Sequence, residues 1–280
     1  MSRLLLLAHL NCDHVLTLSD PLKAGSRLHY RDHGRRLGGG AANTGLGLVW
    51  AGHEVMVATR LGRDDVGDWL LAQAQAIGLD CHWVQRCDEP AGEVLLLVDS
   101  QGERTILRQP RDEQPMSPLP QRGFDCLYVN HPGMDVVPYM QSLLAETLVV
   151  AQYPKGGAWQ RPCHVMIASH SDLAASGNLW QHARDLAGES LLWLVLTEGR
   201  DGALAIRRDG ETVRVAAEPV EVVDSTGAGD AFAAGLLDGL MRGIPMAQAL
   251  QEAVSWGALA VAADSSLPPD TLKKWLEQRG

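Results

Sequence analysis

Short apolar runs alternate with amphipathic stretches along most of the chain. Runs of about four to eight apolar residues are typical of strands buried on both faces of a parallel sheet. The stretches between them have the spacing of helices with one apolar face. This alternation predicts an α/β sandwich with a mainly parallel central sheet. We expect its strands at residues 4–10, 54–59, 124–129, 147–151, 164–168 and 191–196.

The helices predicted by the same pattern fall between these strands and, as a second block, at the end of the chain. They are expected at residues 41–51, 67–77, 135–144, 172–186, 229–241, 246–262 and 271–278. A further strand pair, 203–207 and 212–215, turns at Asp209-Gly210.

Four short segments interrupt the alternation and mix polar with apolar positions: 15–18, 27–36, 93–99 and 104–109. The last two flank a polar turn that contains Gly102, which predicts a hairpin. We expect all four to form one small sheet beside the main one. A thin sheet cannot bury apolar side chains such as Leu28, Leu95, Leu97 and Ile106 by itself. These side chains therefore face either a ligand pocket or the same sheet of a second copy, and we expect a homodimer formed through this sheet.

Length and composition narrow the class of protein. A chain of 280 residues could form one large α/β domain or two small domains, and we expect a single domain over residues 1–280. The net charge of −10 argues against a nucleic-acid or anionic-membrane partner, either of which favours a basic surface.

The cysteine and histidine pattern argues against a disulfide-stabilised or zinc-binding protein. The five cysteines include no C-x-x-C pair, and no H-E-x-x-H occurs, so a disulfide framework or a zinc site is not expected. The apolar run at the N-terminus is interrupted by His9 and Asn11. That run is too short for a secretory signal, which predicts a cytoplasmic protein.

Residues 224–230 are the most informative stretch for chemistry, and they read Asp-Ser-Thr-Gly-Ala-Gly-Asp. Small apolar residues follow at once, so the stretch opens a closely packed helix. Free amides at a helix N-terminus bind anions. Asp230 could take a proton from a hydroxyl while these amides receive negative charge, which suits a hydroxyl that attacks a phosphate. The simpler alternative is an aspartate that caps a helix beside a glycine turn.

Two polar stretches near the N-terminus are candidate sites for a ligand. Gly38, Gly39 and Gly40 precede Ala41-Ala42-Asn43 and let the backbone approach a polar molecule, although a flexible loop would look the same. Neither a Rossmann nor a Walker A motif is met. Asn11 and Asp13 follow the first predicted strand, where a carboxylate could hold two vicinal hydroxyls or simply lie in a surface turn.

The two glycine motifs, in this order and at this separation, resemble the signatures of the PfkB (ribokinase-like) carbohydrate kinases. The resemblance extends over essentially the whole chain, with Ser225 at a position that is more often threonine. It implies a ribokinase-like three-layer sandwich in which the small sheet is a lid over the sugar. It also implies ATP-dependent phosphorylation of a hydroxymethyl group of a sugar or sugar derivative, with Mg²⁺ bridging the ATP phosphates.

The same resemblance assigns roles to residues. Asp230 is the base, and the amides of Gly227, Ala228 and Gly229 stabilise the transferring phosphoryl group. The residues expected to bind the sugar are Asn11, Asp13, Gly38, Gly39, Gly40 and Asn43. The residues expected to bind ATP are Thr197, Gly199, Gly202, Ser225, Thr226 and Gly227.

The chain departs from the family pattern in three places. The family's Asn-x-x-Glu, which organises magnesium, is matched by residues 169–172, where Asp172 could act through water or could only cap a helix. Asn130-His131-Pro132 stands where ribokinases have a glutamate. Residues 262–266 lack the usual glycine-rich ending, so dependence on K⁺, with Asp224 as the candidate ligand, stays open.

Three alternatives remain open at this point. A nucleoside kinase would need an aromatic or apolar wall, and the chain has 2 phenylalanines and 4 tyrosines to supply one. A non-catalytic sugar-binding regulator is disfavoured by the intact Asp230. A kinase of a phosphorylated or otherwise anionic sugar would need arginines near the lid. The candidates are Arg27, Arg31, Arg35, Arg36, Arg104, Arg108 and Arg111.

Overall fold

The structure is a computed structural model that describes residues 1–109, 115–116, 118–131, 133, 135–154, 159–173 and 177–279. Arg111 and Pro132 lie outside these residues. The described strands are β1 Arg3–Ala8, β2 Asn11–Leu18, β3 Tyr30–Gly38, β4 Glu54–Gly62, β5 Val84–Cys87, β6 Glu93–Val98, β7 Arg104–Arg108, β8 Cys126–Asn130, β9 Leu148–Gln152, β10 Val165–Ser169, β11 Trp193–Thr197, β12 Ala203–Arg207 and β13 Thr212–Val215. The α-helices are α1 Gly40–Trp50, α2 Asp65–Ala76, α3 Val137–Leu143, α4 Leu179–Ala187, α5 Ala228–Met241, α6 Met246–Val261 and α7 Asp270–Arg279.

Nine strands form the main sheet, in the order β13-β12-β11-β10-β9-β8-β1-β4-β5. Strand pairing is parallel from β11 through β5 and antiparallel only where β12 and β13 close one edge. The predicted mainly parallel α/β fold is therefore confirmed. The carboxyl ends of the parallel strands share one edge of the sheet, which is the edge where open α/β sheets bind ligands.

Alternate residues of the central strands enter two apolar clusters, one on each face of the sheet. Leu4, Leu6 and Ala8 of β1 pack with α1, α5, α6 and α7, whereas Leu5 and Leu7 pack with α3 and α4. Because both faces are covered, the strands are apolar almost throughout. The result is the predicted three-layer sandwich. None of the described helices is long and apolar enough to cross a membrane.

The small sheet has the order β3-β2-β6-β7, so the four predicted segments do form one sheet. β2 is antiparallel to β3 and parallel to β6, and β6 and β7 form the expected hairpin. The bounds differ from the prediction, because β2 begins at Asn11 and β3 spans Tyr30–Gly38. Leu10 and Cys12 are fully buried, so the chain passes almost directly from β1 into β2 and leaves no surface turn at Asn11 and Asp13.

Two further elements of the structure differ from the prediction. Helix α4 begins at Leu179, not at residue 172, because residues 170–173 form a separate 3₁₀ turn. Strand β5, Val-Gln-Arg-Cys, is not predicted from the pattern of apolar residues, because its polar side chains interrupt any apolar run. Its backbone pairs with the end of β4, and that pairing does not depend on an apolar sequence.

Candidate active site

The first turn of helix α5 is the centre of the candidate site. Gly227 precedes the helix with φ 78°, a left-handed conformation that suits glycine. A side chain at this position would also collide with the backbone carbonyl of Ser266. Among the described residues, no side chain caps this helix N-terminus. The turn therefore presents backbone N–H groups and the positive end of the helix dipole to the carboxyl edge of the main sheet.

Two side-chain amides hold the carboxylate of Asp230 in this turn. Asn43 Nδ2 donates to Asp230 Oδ2 at 2.9 Å, and Asn130 Nδ2 donates to Asp230 Oδ1 at 3.3 Å. Asn43 comes from helix α1 and Asn130 from the carboxyl end of β8, so two distant parts of the chain fix one carboxylate. These two contacts fix the orientation of the carboxylate at the carboxyl edge of the main sheet.

A series of hydrogen bonds through Thr44, Tyr128 and Gln152 supports the same turn. Thr44 Oγ1 donates to the backbone carbonyl of Asp230 at 3.3 Å, and the Tyr128 hydroxyl hydrogen bonds with Thr44. Gln152 Nε2 donates to that hydroxyl at 2.9 Å. Burial, together with the nearby charge of Asp230, raises the pKa of Tyr128. Tyr128 thus stays neutral and links α1, α5 and the central strands.

The glycine turn before α1 packs closely against three neighbouring segments of the site. Gly39 has φ 88°, and a Cβ there would lie 2.5 Å from the His9 carbonyl oxygen. A Cβ on Gly40 would lie 2.6 Å from Asn130 Nδ2, and one on Gly38 would collide with the carboxylate of Asp13. The three glycines are therefore in contact with the β1–β2 connection, with β8 and with β2.

Asp13 supplies a second carboxylate to the site. It lies on β2 and is 7% exposed. Burial raises the pKa of Asp13 to about 6, and the charge of Arg108 on β7 opposes that rise. A buried carboxylate is suited to bind hydroxyl groups, because hydrogen-bond donors compensate for its loss of water.

The residues predicted to bind ATP lie farther along the same sheet edge. Thr197 ends β11 and is paired in register with Ser169, which ends β10. Gly199 begins a 3₁₀ turn that closes at Gly202. Asp172 Oδ2 accepts a hydrogen bond from the Ser169 backbone N–H at 3.2 Å, so this carboxylate is fixed at the end of β10.

An arginine of the small sheet contacts the loop before α5. The Arg104 guanidinium donates to both carboxylate oxygens of Asp224 and to the Thr226 hydroxyl. Asp224 also accepts from the Thr226 backbone N–H at 2.7 Å. Burial alone would raise the pKa of Asp224, but these hydrogen bonds and the Arg104 charge outweigh it and lower the pKa. The small sheet therefore lies directly against the loop predicted to bind phosphate.

The structure places the predicted residues in two groups along one edge. Asn43, Asp230 and the glycine turn meet Asp13 and Asn11 at one end, and Thr197, Gly199, Gly202 and Asp172 follow β10 and β11 at the other. In the sequence Asn130 stands out only as a departure from the family pattern, and no motif marks Tyr128, Thr44 or Gln152. The position of Asn130 at the end of a central strand was the available signal.

Comparison with known protein families shows which family the chain resembles. The model of the pfkB family of carbohydrate kinases matches residues 1–132 and 158–271, which is most of the chain. The match includes both glycine turns and Asp230.

Individual proteins and solved structures are also similar to this chain over most of its length. The chain is 30% identical to the aminoimidazole riboside kinase of Salmonella typhimurium, over 85% of this chain and 87% of that protein. It is 25% identical to the ATP-dependent ribose-1-phosphate kinase of Halopiger xanaduensis, over 100% of this chain and 99% of that one. The crystal structure of ribokinase from Thermotoga maritima superposes with a TM-score of 0.82 at 18% identity, and the match covers 99% of this chain and 100% of that one.

Proposed function

The chain belongs to the pfkB family of carbohydrate kinases, and from this premise we propose how its residues carry out the reaction. The protein is a kinase that phosphorylates a sugar or a sugar derivative with ATP. Asp230 is the base that accepts the proton of the acceptor hydroxyl. The observation that carries this assignment is the Asp230 carboxylate, held by Asn43 and Asn130 beside the uncapped N-terminus of α5.

In the transfer step, the acceptor oxygen attacks the γ-phosphorus of ATP as Asp230 takes its proton. The bond between the γ-phosphorus and the bridging oxygen breaks, and ADP leaves with that electron pair. Negative charge on the transferring group is stabilised by the N–H groups of Gly227, Ala228 and Gly229 and by the helix dipole. A positioned base typically contributes about 10²–10⁴-fold to such a reaction.

Acceptor and nucleotide occupy the two groups of residues described above. Asp13 and Asn11 on β2, with the glycine turn and Asn43, bind hydroxyl groups of the sugar. Thr197, Gly199, Gly202, Ser225 and Thr226 bind the phosphates of ATP. The pKa of Asp13, raised to about 6, leaves its carboxylate mainly ionised at neutral pH and able to accept hydroxyl hydrogen bonds.

Magnesium fits the donor set at the nucleotide end. Asp172 offers a carboxylate that Ser169 orients, and carboxylate and phosphate oxygens are the ligands Mg²⁺ prefers. When bound, Mg²⁺ would neutralise part of the charge on the ATP phosphates. A monovalent cation at Asp224 does not fit this arrangement, because the Arg104 guanidinium contacts both of its carboxylate oxygens. No step here uses one.

A homodimer and a cytoplasmic location complete the proposal. Leu95, Leu97 and Leu107 lie on one face of the small sheet, and Leu107 is 48% exposed, which supports burial against a second copy. All five cysteines are free, as is usual in a reducing compartment. Light scattering is expected to give about twice the 30.2 kDa chain mass, and a monomer mass would overturn the dimer.

The test of the function is acceptor-dependent turnover. The protein with ATP and Mg²⁺ is incubated with a panel of sugars, sugar acids, sugar phosphates and nucleosides. ADP is followed by a coupled assay, and the phosphorylated product by mass spectrometry. We expect ADP and a phosphate ester to form together with at least one acceptor class. ATP turnover that no acceptor stimulates, with sugar binding intact, would favour the non-catalytic regulator instead.

A further inference from the structure

The two faces of the small sheet carry different chemistry. On one face His14 hydrogen bonds with Glu93, and Arg35 Nε donates to Glu93 Oε1 at 2.6 Å. Asp13, the neighbour of His14 on β2, points to the other face, because successive side chains of a strand alternate. Arg104 also belongs to that other face, since it reaches the loop before α5. This second face is therefore the one turned to the active site.

Arginines flank Asp13 on this active-site face. Asp13 is paired with Arg36 on β3 and with Val94 on β6, and Val94 is paired with Arg108 on β7. The four residues form one row across the sheet, with the two arginines on its outer strands. Three strand spacings separate those outer strands, which is roughly 14 Å between backbones. A sugar-sized molecule placed over Asp13 would lie between the two guanidinium groups.

Among the described residues, this row carries more positive than negative charge. No carboxylate of the described part of the chain lies within ion-pair distance of Arg36 or Arg108. Arg35 and Arg104 do have such partners, Glu93 and Asp224. Arg108 lowers the pKa of Asp13 only through its charge. The row thus holds two cations against one carboxylate, next to the place where the acceptor binds.

We propose that the acceptor carries an anionic group, a carboxylate or a phosphate, which Arg36 and Arg108 hold while Asp13 binds the sugar hydroxyls. This inference rests on the proposed function and specifies its substrate class. A charge-assisted contact from either arginine would fix the acceptor and bring its free hydroxymethyl group toward Asp230. The competing explanation is that the exposed arginines on β3 and β7, the outer strands of the small sheet, only prevent these edges from pairing with another chain.

The experiment compares neighbouring arginines of β3 that point to opposite faces. kcat and KM are measured for Arg36→Gln, Arg108→Gln and the control Arg35→Gln. The acceptors are neutral sugars, sugar acids of the same carbon length and the corresponding sugar phosphates. With the preferred anionic acceptor, we expect Arg36→Gln and Arg108→Gln each to raise KM by about 10- to 100-fold, with a smaller change in kcat. Arg35→Gln should stay within about two-fold.

Testing a sugar acid and a sugar phosphate separately shows whether the anionic group of the acceptor is a carboxylate or a phosphate. The KM for the anionic acceptor should also rise with ionic strength. Preference for a neutral sugar, or equal effects of Arg35→Gln and Arg36→Gln, would overturn the inference and leave the kinase assignment standing. Absence of acceptor-dependent ADP formation with every class would instead overturn the proposed function, and the inference with it.

Discussion

Helix α5 carries two aspartates, Asp230 in its first turn and Asp238 about two turns later, and their surroundings differ. Asp230 is held by the amides of Asn43 and Asn130 at an open helix end. Asp238 is fully buried and receives hydrogen bonds from His53, Arg242 and Arg279. The same residue type on the same helix is therefore placed for chemistry at one end and for structure at the other.

The cluster around Asp238 is balanced in charge. Arg242 and Arg279 contact both Asp238 and Glu252, which gives two guanidinium groups for two carboxylates. The Ser2 backbone N–H donates to His53 Nδ1, so Nε2 carries the hydrogen that His53 donates to Asp238. Burial alone would raise the pKa of Asp238, but these hydrogen bonds and the arginine charges lower it. The cluster joins the N-terminus, α5, α6 and α7.

For these two aspartates, the hydrogen-bond partners of the carboxylate indicate its role more than its burial does. In the part of the chain that the structure describes, the carboxylate of Asp238 contacts groups that neutralise it. Asp230, in contrast, accepts hydrogen bonds from the neutral amides of Asn43 and Asn130. Variants that remove each group in turn should separate loss of activity from loss of stability.

The largest effect is expected at Asp230. Asp230→Asn should lower kcat by about 10²–10⁴-fold, because the base is lost while the shape of the side chain is kept. Binding of ATP and of the acceptor, measured by calorimetry, should remain close to that of the unchanged protein. A kcat above about a tenth of the original value would remove Asp230 from the role of base.

The next effect concerns stability. Asp238→Asn should lower the free energy of unfolding by about 2–4 kcal/mol, because it removes the charge of a fully buried carboxylate that accepts hydrogen bonds from His53, Arg242 and Arg279. Urea unfolding followed by circular dichroism measures the change, and kcat per folded molecule should be retained. Asp209→Asn, at an exposed surface turn, is the matched control and should unfold like the unchanged protein. A loss below about 1 kcal/mol for Asp238→Asn would contradict the structural role.

A smaller effect is expected at Asp13. Asp13→Ala should weaken acceptor binding by about 1.5–3 kcal/mol, the range for a hydrogen bond to a charged group, and leave ATP binding unchanged. Because burial raises the pKa of Asp13 to about 6, the carboxylate form is lost as pH falls through that value. The acceptor KM should therefore rise below pH 6, and Asp13→Asn should abolish that rise. Acceptor binding that is insensitive to both changes would place the sugar elsewhere.

The smallest effect is expected at Asn130. Asn130→Ala removes one of the two amides that orient Asp230, which costs about 0.5–1.5 kcal/mol, or about a two- to tenfold fall in kcat. ATP binding should not change. Stopped-flow measurement of the transfer step would test whether the loss lies in chemistry. An unchanged transfer rate would mean that Asn130 does not position the base.

The sequence predicted the fold and the central motif because both depend on local patterns. Apolar runs identified the buried strands, and the glycine spacing around Gly227 identified the start of α5. The polar strand β5 could not be found in this way, since its place depends on backbone pairing with β4.

The rest of the site depends on contacts between distant segments. Asn130 and Asp230 are separated by one hundred positions in the chain. Whether Arg104 faces Asp224 or solvent depends on the register of β7, because a shift by one residue would turn every side chain to the opposite face. Thus Arg104 was a candidate by composition, but its partner could be identified only in three dimensions.

The most direct test of the account measures kcat and the free energy of unfolding for Asp230→Asn and Asp238→Asn in one series. We predict opposite effects of the two substitutions on activity and on stability. Asp230→Asn should lose phosphoryl transfer and keep its stability, whereas Asp238→Asn should lose stability and keep transfer in the folded fraction. If Asp230→Asn instead produced the sugar phosphate at the original rate, the central claim that Asp230 is the base would be contradicted.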